Sequence, residues 1–599
     1  MNNFFKTFFA ALLAFVAANI LLGMITIFIL SGFVSSFQQK TTAAVTPGTV
    51  LKIDFAENIT DSPTNPTLDI ASLSSGSFGI VRNLSMLSVI NAIKAAEADP
   101  NIDGIYINYT GPGNVSGTAQ MEELRAALAE FGASGKFVVS YNDSYSQGLY
   151  WLCSVSDMVL MNPEGSFDWR GLASQVMFYK GLIDRLGVDV QVVRHGTYKA
   201  AVEPFITDKM SPANRQQMEA LVGSMWKTIV GDVAEWRDIP AESLAAYADN
   251  LAIDSPAKAR ALGMVDSLMY ADQVMSYLGS LVGLAESQTD ELNIVTLGEY
   301  ADLNKFSGKT ISRNKVAIVY ADGEIVDGES TYSAIGGKTI AERLAEARKD
   351  KNVKAVVFRV NSPGGSALAS EVMWREVSLL KAEKPVVVSM SNYAASGGYY
   401  ISSPADSIIA DRTTLTGSIG VFGLIVSARD ALKNKAGITV DVAKTSPYAD
   451  MGSMFRPLTK TETDYMQKSV EDVYSTFVNH VAAGRRMTFD EVDAIGQGRV
   501  WSGVEANGIG LVDSFGGLDV AIQTAARLGG VEDNYRVIEI LEEENEFSAL
   551  FNQLLSAKAR SRVAVKDELG EALKYYDSVH NMIRRNGVQA RMPYDITIY

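Results

Sequence analysis

The chain has 599 residues, 47% of them apolar and 20% charged, and carries a net charge of −16. That length exceeds one ordinary core, so three or four units are expected. The acidic balance argues against nucleic acid as a partner, because phosphate binding wants a basic face. A lone cysteine, Cys153, excludes an intrachain disulfide. His195, His480 and His580 lie far apart without ligand spacing, so no metal site is expected either.

In chain order, the first feature is an uncharged stretch from Thr7 to Phe37 whose core reads FFAALLAFVAANILLGMITIFILSGF. About 20 apolar residues span a bilayer as a helix, and this run is longer. A cleaved signal peptide has a shorter apolar region, roughly 7–15 residues, so an uncleaved transmembrane anchor is read here rather than a leader or a core helix. Lys6 and the amino terminus precede the run and Lys40 follows it. The N-terminus is read as cytoplasmic, with the bulk of the chain on the other side.

Beyond the anchor the chain repeats itself. IKAAEADPNIDGIYINYTGPG, from Ile93, matches LAEARKDKNVKAVVFRVNSPGG, from Leu344, at an offset of 251. YNDSYSQGLYWLCS, from Tyr141, matches SNYAASGGYYISS, from Ser391, at 250, and LGMVDSL, from Leu262, matches IGLVDSF, from Ile509, at 247. Three ordered matches at nearly constant offset describe a duplicated unit. Within the second copy, Val316–Tyr320, Ala355–Val360 and Pro385–Ser389 read as buried parallel strands, with helical periodicity over Ile340–Ala347 and Ala367–Leu380. Strand–helix alternation predicts an α/β layered fold. The expected division is an anchor over 1–46, an N-terminal unit over 47–300, a C-terminal unit over 312–545 and a tail over 546–599. The polar stretch Gln288–Arg313 is read as the join, and the tail as helical or partly disordered.

Two Gly-rich turns in the second copy point to chemistry. Asn361-Ser-Pro-Gly-Gly365 follows a predicted strand and precedes a helix, so its backbone N–H groups lie where developing negative charge is stabilised. A tight turn needing φ > 0 accounts for Gly364 and Gly365 equally well. Asn392-Tyr-Ala-Ala-Ser-Gly-Gly-Tyr-Tyr400 also follows a strand, and a serine before two glycines at a strand-to-helix turn follows the logic of a nucleophile elbow. A helix N-cap is the competing role for Ser396. Together the two turns describe an acyl-transfer site.

A serine nucleophile needs a base. With no histidine placed beside a carboxylate, a lysine serves if burial makes it neutral. Lys199 sits in His195-Gly-Thr-Tyr-Lys-Ala-Ala-Val-Glu-Pro-Phe205, flanked by Tyr198, Ala200 and Val202, whereas an exposed lysine is the ordinary expectation for that residue type. At an offset of 250, Lys199 aligns with Ala449 and Ser396 with Ser146, so each copy lacks what the other holds. A dyad of Ser146 with Lys199 inside the first copy is conceivable. Gln147, where the second copy has Gly397, would crowd a tetrahedral intermediate there.

At these residues the chain resembles the signal peptide peptidase A family of the long, duplicated bacterial type, from the anchor to about residue 545. The resemblance implies two tandem Clp-protease/crotonase-like domains of stacked ββα units, preceded by one transmembrane helix. It places the nucleophile on Ser396 in SNYAASGGYY, the base on Lys199 in GTYKAAVEPF and the oxyanion turn on Gly364 and Gly365 in NSPGG. Ser418 in Thr416-Gly-Ser-Ile-Gly420 matches a serine that orients the lysine, although a simple turn also accounts for it. The resemblance further implies a homotetramer with sites built between adjacent chains, and released signal peptides as substrates. Its setting would be the bacterial inner membrane, single-pass, with the catalytic domains on the periplasmic side.

The expected activity is therefore a membrane-anchored serine endopeptidase that uses a Ser-Lys dyad without cofactor or metal. Two rivals remain at this stage. A crotonase-like acyl-CoA hydratase or isomerase would use the same turns, but an anchor would separate it from CoA. A catalytically inactive membrane scaffold would give no adduct with a serine-reactive phosphonate.

Overall fold

Runs of Val, Ile and Ala buried on both faces form the centres of two parallel sheets, as side chains of this kind dictate. The computed structural model describes residues 44–63, 67–69, 79–111, 113–115, 117–304, 312–331, 334–541 and 588–592. The first sheet runs, in spatial order, Ser267–Leu268, Met158–Phe167, Phe137–Tyr145, Ile102–Ile107, Thr49–Ile53 and Ile294–Thr296, all parallel. The second repeats that order with Ser514–Phe515, Ser407–Ala410, Val386–Ala395, Val353–Ser362, Lys315–Asp322 and Arg536–Ile540. The duplication seen in the sequence is thus a duplication of topology.

The expected strands fall on Lys315–Asp322, Val353–Ser362 and, but for Pro385, Val386–Ala395, and the expected helices within Gly337–Lys349 and Ala367–Lys381. Pro385 stays outside its strand, consistent with its missing N–H. Val356, Phe358, Val360, Val386 and Val388 pack with Met373, Val377 and Leu380 of the helix into one core. The polar join differs from its expectation. Ile294–Thr296 adds an edge strand to the first sheet, and the following helix Leu297–Asn304 buries Tyr300, whose hydroxyl donates to Asp99 at 3.1 Å. The apolar run before residue 44 lies outside the described residues. Among the described residues no helix is long and apolar enough to cross a membrane.

A third sheet ties the halves together. Its order is Ala334–Gly336, Glu324–Val326, Gly364–Ser366, Val588–Arg591, Val421–Ser427 and Asp189–His195, so it takes strands from the first copy, the second copy and the tail. Of the tail, residues 588–592 are described, and they are extended where helix or disorder was expected. So short a segment has no readable period, and its conformation follows from the two backbone edges it lies between.

A buried ion cluster also joins the copies. Arg359, 1% exposed and central in the Val353–Ser362 strand, donates to Asp61 Oδ1 at 2.9 and 2.5 Å, to Glu123 Oε1 at 2.5 Å and to Ser389 Oγ at 2.8 Å. The second oxygen of Asp61 accepts from Gln120 and Ser391, each at 2.7 Å. Both carboxylates come from the first copy and the guanidinium from the second, with each of its three nitrogens donating. Such a pairing is stable only with hydrogen bonds this complete.

Candidate active site

Ser396 stands between the Val386–Ala395 strand and a short helix, Gly397–Ser402, with φ 56° and ψ −113°. A non-glycine residue in that region is strained and persists only when its surroundings hold it. Its N–H donates to Gly417 O at 2.8 Å, and its carbonyl accepts from Tyr400 N at 2.8 Å. The side chain makes no N-cap bond, so the capping role is not the one it plays. Ser146, its counterpart in the first copy, has φ −73°, is exposed and accepts from Leu149 N as an ordinary N-cap. Gln147 beside it is tied to Arg170 and Gly171. One repeated position has thus become a strained elbow in one copy and a cap in the other.

Two glycine pairs pack backbone against backbone around the elbow. Gly364 and Gly365 have φ 97° and 156°. A Cβ at Gly364 would lie 2.7 Å from the Gly397 nitrogen, and one at Gly398 would lie 2.5 Å from Ser362 O. Larger residues would push the turn off the elbow. The Gly364 N–H donates to Ser362 Oγ at 3.2 Å, so the N–H of Gly397, beside the same turn at a helix start, joins Gly365 as a candidate oxyanion donor. Gly397 as a donor was not anticipated from sequence, although it follows the nucleophile as the elbow geometry requires.

Lys199 arrives from the first copy. The Asp189–His195 strand pairs antiparallel with Val421–Ser427, with His195 opposite Val421, and the turn after it carries Lys199 inward. Tyr198 N donates to Gln497 O at 2.8 Å, and Gln217 Nε2 donates to Tyr198 O at 3.1 Å. The side chain threads between two glycines. A Cβ at Gly498 would fall 2.7 Å from Lys199 Cβ, and one at Gly420 3.2 Å from Cδ. Gly498 was not singled out in the sequence, and Gly420 entered only as the last residue of the motif quoted for Ser418.

The amine at the end of this path is fully buried. Lys199 Nζ donates to Ser396 Oγ at 2.8 Å, to Ser418 Oγ at 3.0 Å and to Ser418 O at 3.1 Å. Burial pushes its pKa well below the ordinary lysine value, with no carboxylate contributing. His195 hydrogen-bonds Glu471 and stacks on Tyr474, and His480 bonds Glu371 at 3.0 Å and stacks on Trp374. Both histidines are thus committed elsewhere, and His580 lies outside the described residues. The Cys153 thiol is buried and pushed up to about 12 by that burial, which makes it unreactive.

Lys199 and Ser396 meet within a single chain. Sites completed between adjacent chains were expected, but pairing of the Asp189–His195 strand with the same chain's Val421–Ser427 already carries the lysine across. Ser418, at φ 50°, is held by its N–H to Arg499 O at 2.7 Å. Replacing Ser418 by alanine removes one of three contacts that aim the amine, and turnover is expected to fall about 10- to 100-fold with little change in KM. Steady-state kinetics on a peptide substrate measure this split.

The sequence has counterparts in known proteins. The sequence profile of peptidase family S49 matches residues 130–285 and again 378–532. The chain is 40% identical over 457 residues to Protease 4 of Salmonella typhi, covering 74% of this chain and 72% of that one. It is 37% identical over 461 residues to Protease 4 of Haemophilus influenzae, covering 75% and 74%. It is 32% identical over 511 residues to the chloroplastic serine protease SPPA of Arabidopsis thaliana, covering 84% and 73%. With the family profile matched once in each copy and relatives aligned across both, this chain belongs to peptidase family S49 and is a serine peptidase.

Proposed function

We propose that this peptidase works through a dyad of Ser396 and Lys199, supplied by units spanning about 312–545 and 47–300. The observation that carries the reading is a fully buried lysine amine 2.8 Å from the hydroxyl of a strained elbow serine. Neutral Lys199 takes the Ser396 proton as the oxygen attacks a peptide carbonyl. The oxyanion rests against the N–H groups of Gly365 and Gly397. Lys199 then protonates the leaving amine, and water releases the acyl group. Ser418 aims the amine.

The substrates in this proposal are apolar peptides, released signal peptides among them. The run Phe8–Phe33 supports a membrane anchor, and we set it in the bacterial inner membrane, with the catalytic domains on the periplasmic side and assembled as a homotetramer. An entirely buried dyad suits short extended peptides over folded proteins.

The test is labelling with a serine-reactive phosphonate alongside hydrolysis of a quenched apolar peptide. The adduct is expected on the peptide containing Ser396 in the wild type and in Ser146→Ala, and is expected to be lost together with hydrolysis in Ser396→Ala. Full hydrolysis by Ser396→Ala would overturn the assignment.

A further inference from the structure

The turn that carries Lys199 belongs to the first copy, but the groups that hold it belong to the second. The helix Lys460–Arg485 packs Val470, Phe477, Val478 and Val481 into the core that also contains Tyr400 and Ile419, so it is fixed to the unit that bears Ser396. The same helix reaches the Asp189–His195 strand. Gln467 Nε2 donates to Arg194 O at 3.1 Å and to Glu471 Oε1 at 2.6 Å, and Glu471 hydrogen-bonds His195. The His195 ring stacks on Tyr474, with centroids 3.7 Å apart and planes inclined by 19°. The chain is thus gripped just before the lysine turn.

Tyr474 grips the turn from its other end as well. Its buried hydroxyl donates to Asp493 Oδ1 at 2.5 Å and accepts from Gln497 N and Nε2, each at 3.4 Å, so its proton and both lone pairs are in use. Gln497 Nε2 also donates to Asp493 Oδ1 at 2.6 Å, and Gln497 O accepts from Tyr198 N at 2.8 Å. A Cβ at Gly196 would fall 2.5 Å from the Gln497 carbonyl carbon, and one at Gly498 2.7 Å from Lys199 Cβ. The two turns therefore touch backbone to backbone, and a displacement of Gln497 is passed to Lys199 with no soft side chain between them.

We propose that Tyr474 is the positioning residue that sets the reach of Lys199 to Ser396, clamping the lysine turn at His195 with its ring and at Gln497 with its hydroxyl, an inference that rests on the Ser396–Lys199 reading. Tyr474 touches neither substrate nor the reacting atoms and acts through the turn. Loosening either end lengthens the 2.8 Å contact between Nζ and Ser396 Oγ. Misplacing a reacting group by about 1 Å costs up to about 100-fold in rate. Loosening also lets water reach the amine, and because burial alone holds the Lys199 pKa down, that pKa then climbs back towards the ordinary lysine value. A helix that only supported the fold would change the number of folded molecules and leave the behaviour of each one alone.

The experiment measures kcat, KM and the pH profile of kcat/KM on a quenched apolar peptide, with the full chain in detergent. Active molecules are counted by phosphonate labelling taken to completion. Tyr474→Phe keeps the ring under His195 and removes the hydroxyl. Its kcat per labelled site is expected to fall about 10-fold with KM unchanged, and the acid limb of its profile to move to higher pH. Glu471→Ala, at a partly exposed position on the helix, is expected to lower kcat several-fold with a shift of the same sign. Glu471→Gln, which still hydrogen-bonds His195, is expected to recover most of that rate. Wild-type kcat and an unmoved acid limb in both Tyr474→Phe and Glu471→Ala, beside an inactive Lys199→Met, overturn the positioning role and leave the dyad standing. A loss confined to the count of labelled sites also overturns it, by making the helix a support of the fold alone. Undiminished turnover in Lys199→Met removes the dyad and this inference with it.

Discussion

Replacing Lys199 by methionine is expected to lower peptide hydrolysis by about 10⁴-fold, because methionine fills the same channel between Gly420 and Gly498 without a proton acceptor. Ser396 would keep its strained backbone, since that is held by Gly417 and Tyr400 and not by the lysine. The pH dependence has a definite sign. In the proposed dyad the amine acts as base only when unprotonated, so wild-type kcat/KM is expected to rise as pH climbs through the Lys199 pKa, which burial holds well below 10.5. The acid limb of the profile reports that value. The same shift has a cost in stability. Between the folded and unfolded pKa values the unfolded chain binds more protons at this position, so folding stability rises with pH across that window and falls as pH drops through it. Methionine removes the penalty, and its midpoint is expected to exceed the wild type's by about 2 °C at neutral pH, the gap closing above pH 10.5. Thermal scans at several pH values, run beside the kinetics, check both halves. A methionine variant with undiminished turnover would remove Lys199 from the mechanism.

The largest structural effect is expected at Arg359. Leucine there leaves Asp61 and Glu123 buried without their guanidinium, a loss of about 3–5 kcal/mol. Burial already pushes the Glu123 carboxyl up, and the charge of Arg359 pulls against that. With the arginine gone the folded pKa of Glu123 climbs further above its unfolded value. Stability contributed by the protonated acid is then present at low pH and lost as pH rises through the raised folded value. Arg359→Leu is therefore expected to be partly rescued by acidification, and partly by adding Glu123→Gln. Denaturant midpoints measured at pH 5 and pH 8 for the single and double variants give the result. Equal midpoints for wild type and Arg359→Leu would mean that the cluster does not hold the copies together. Hydrolysis should fall with stability, because the Arg359 strand runs directly into the Gly364–Gly365 turn beside Ser396.

The presence of Arg359 in an otherwise apolar strand was a signal available in the sequence. A guanidinium inside a parallel sheet needs carboxylates, but nothing local says that Asp61 and Glu123 supply them, at separations of 298 and 236 residues. The tail is a stronger case. Val588–Arg591 has neither period nor turn chemistry to mark it as a strand, and its state depends on edges more than 160 residues away.

Local physics was legible from the residues. Apolar periodicity marked the strands and helices and paired glycines after strands marked the two turns, because each depends on neighbours a few positions apart, while the duplication showed as ordered matches at nearly constant offset. Other features arose from chain segments meeting in space. These are the φ of 56° that separates Ser396 from Ser146, the glycines past which Lys199 threads, and the pairing that brings an amine to a hydroxyl across 197 residues. Strand pairing between the copies and removal of water set those features, and both are properties of the assembled fold, with no counterpart in any short stretch of the chain.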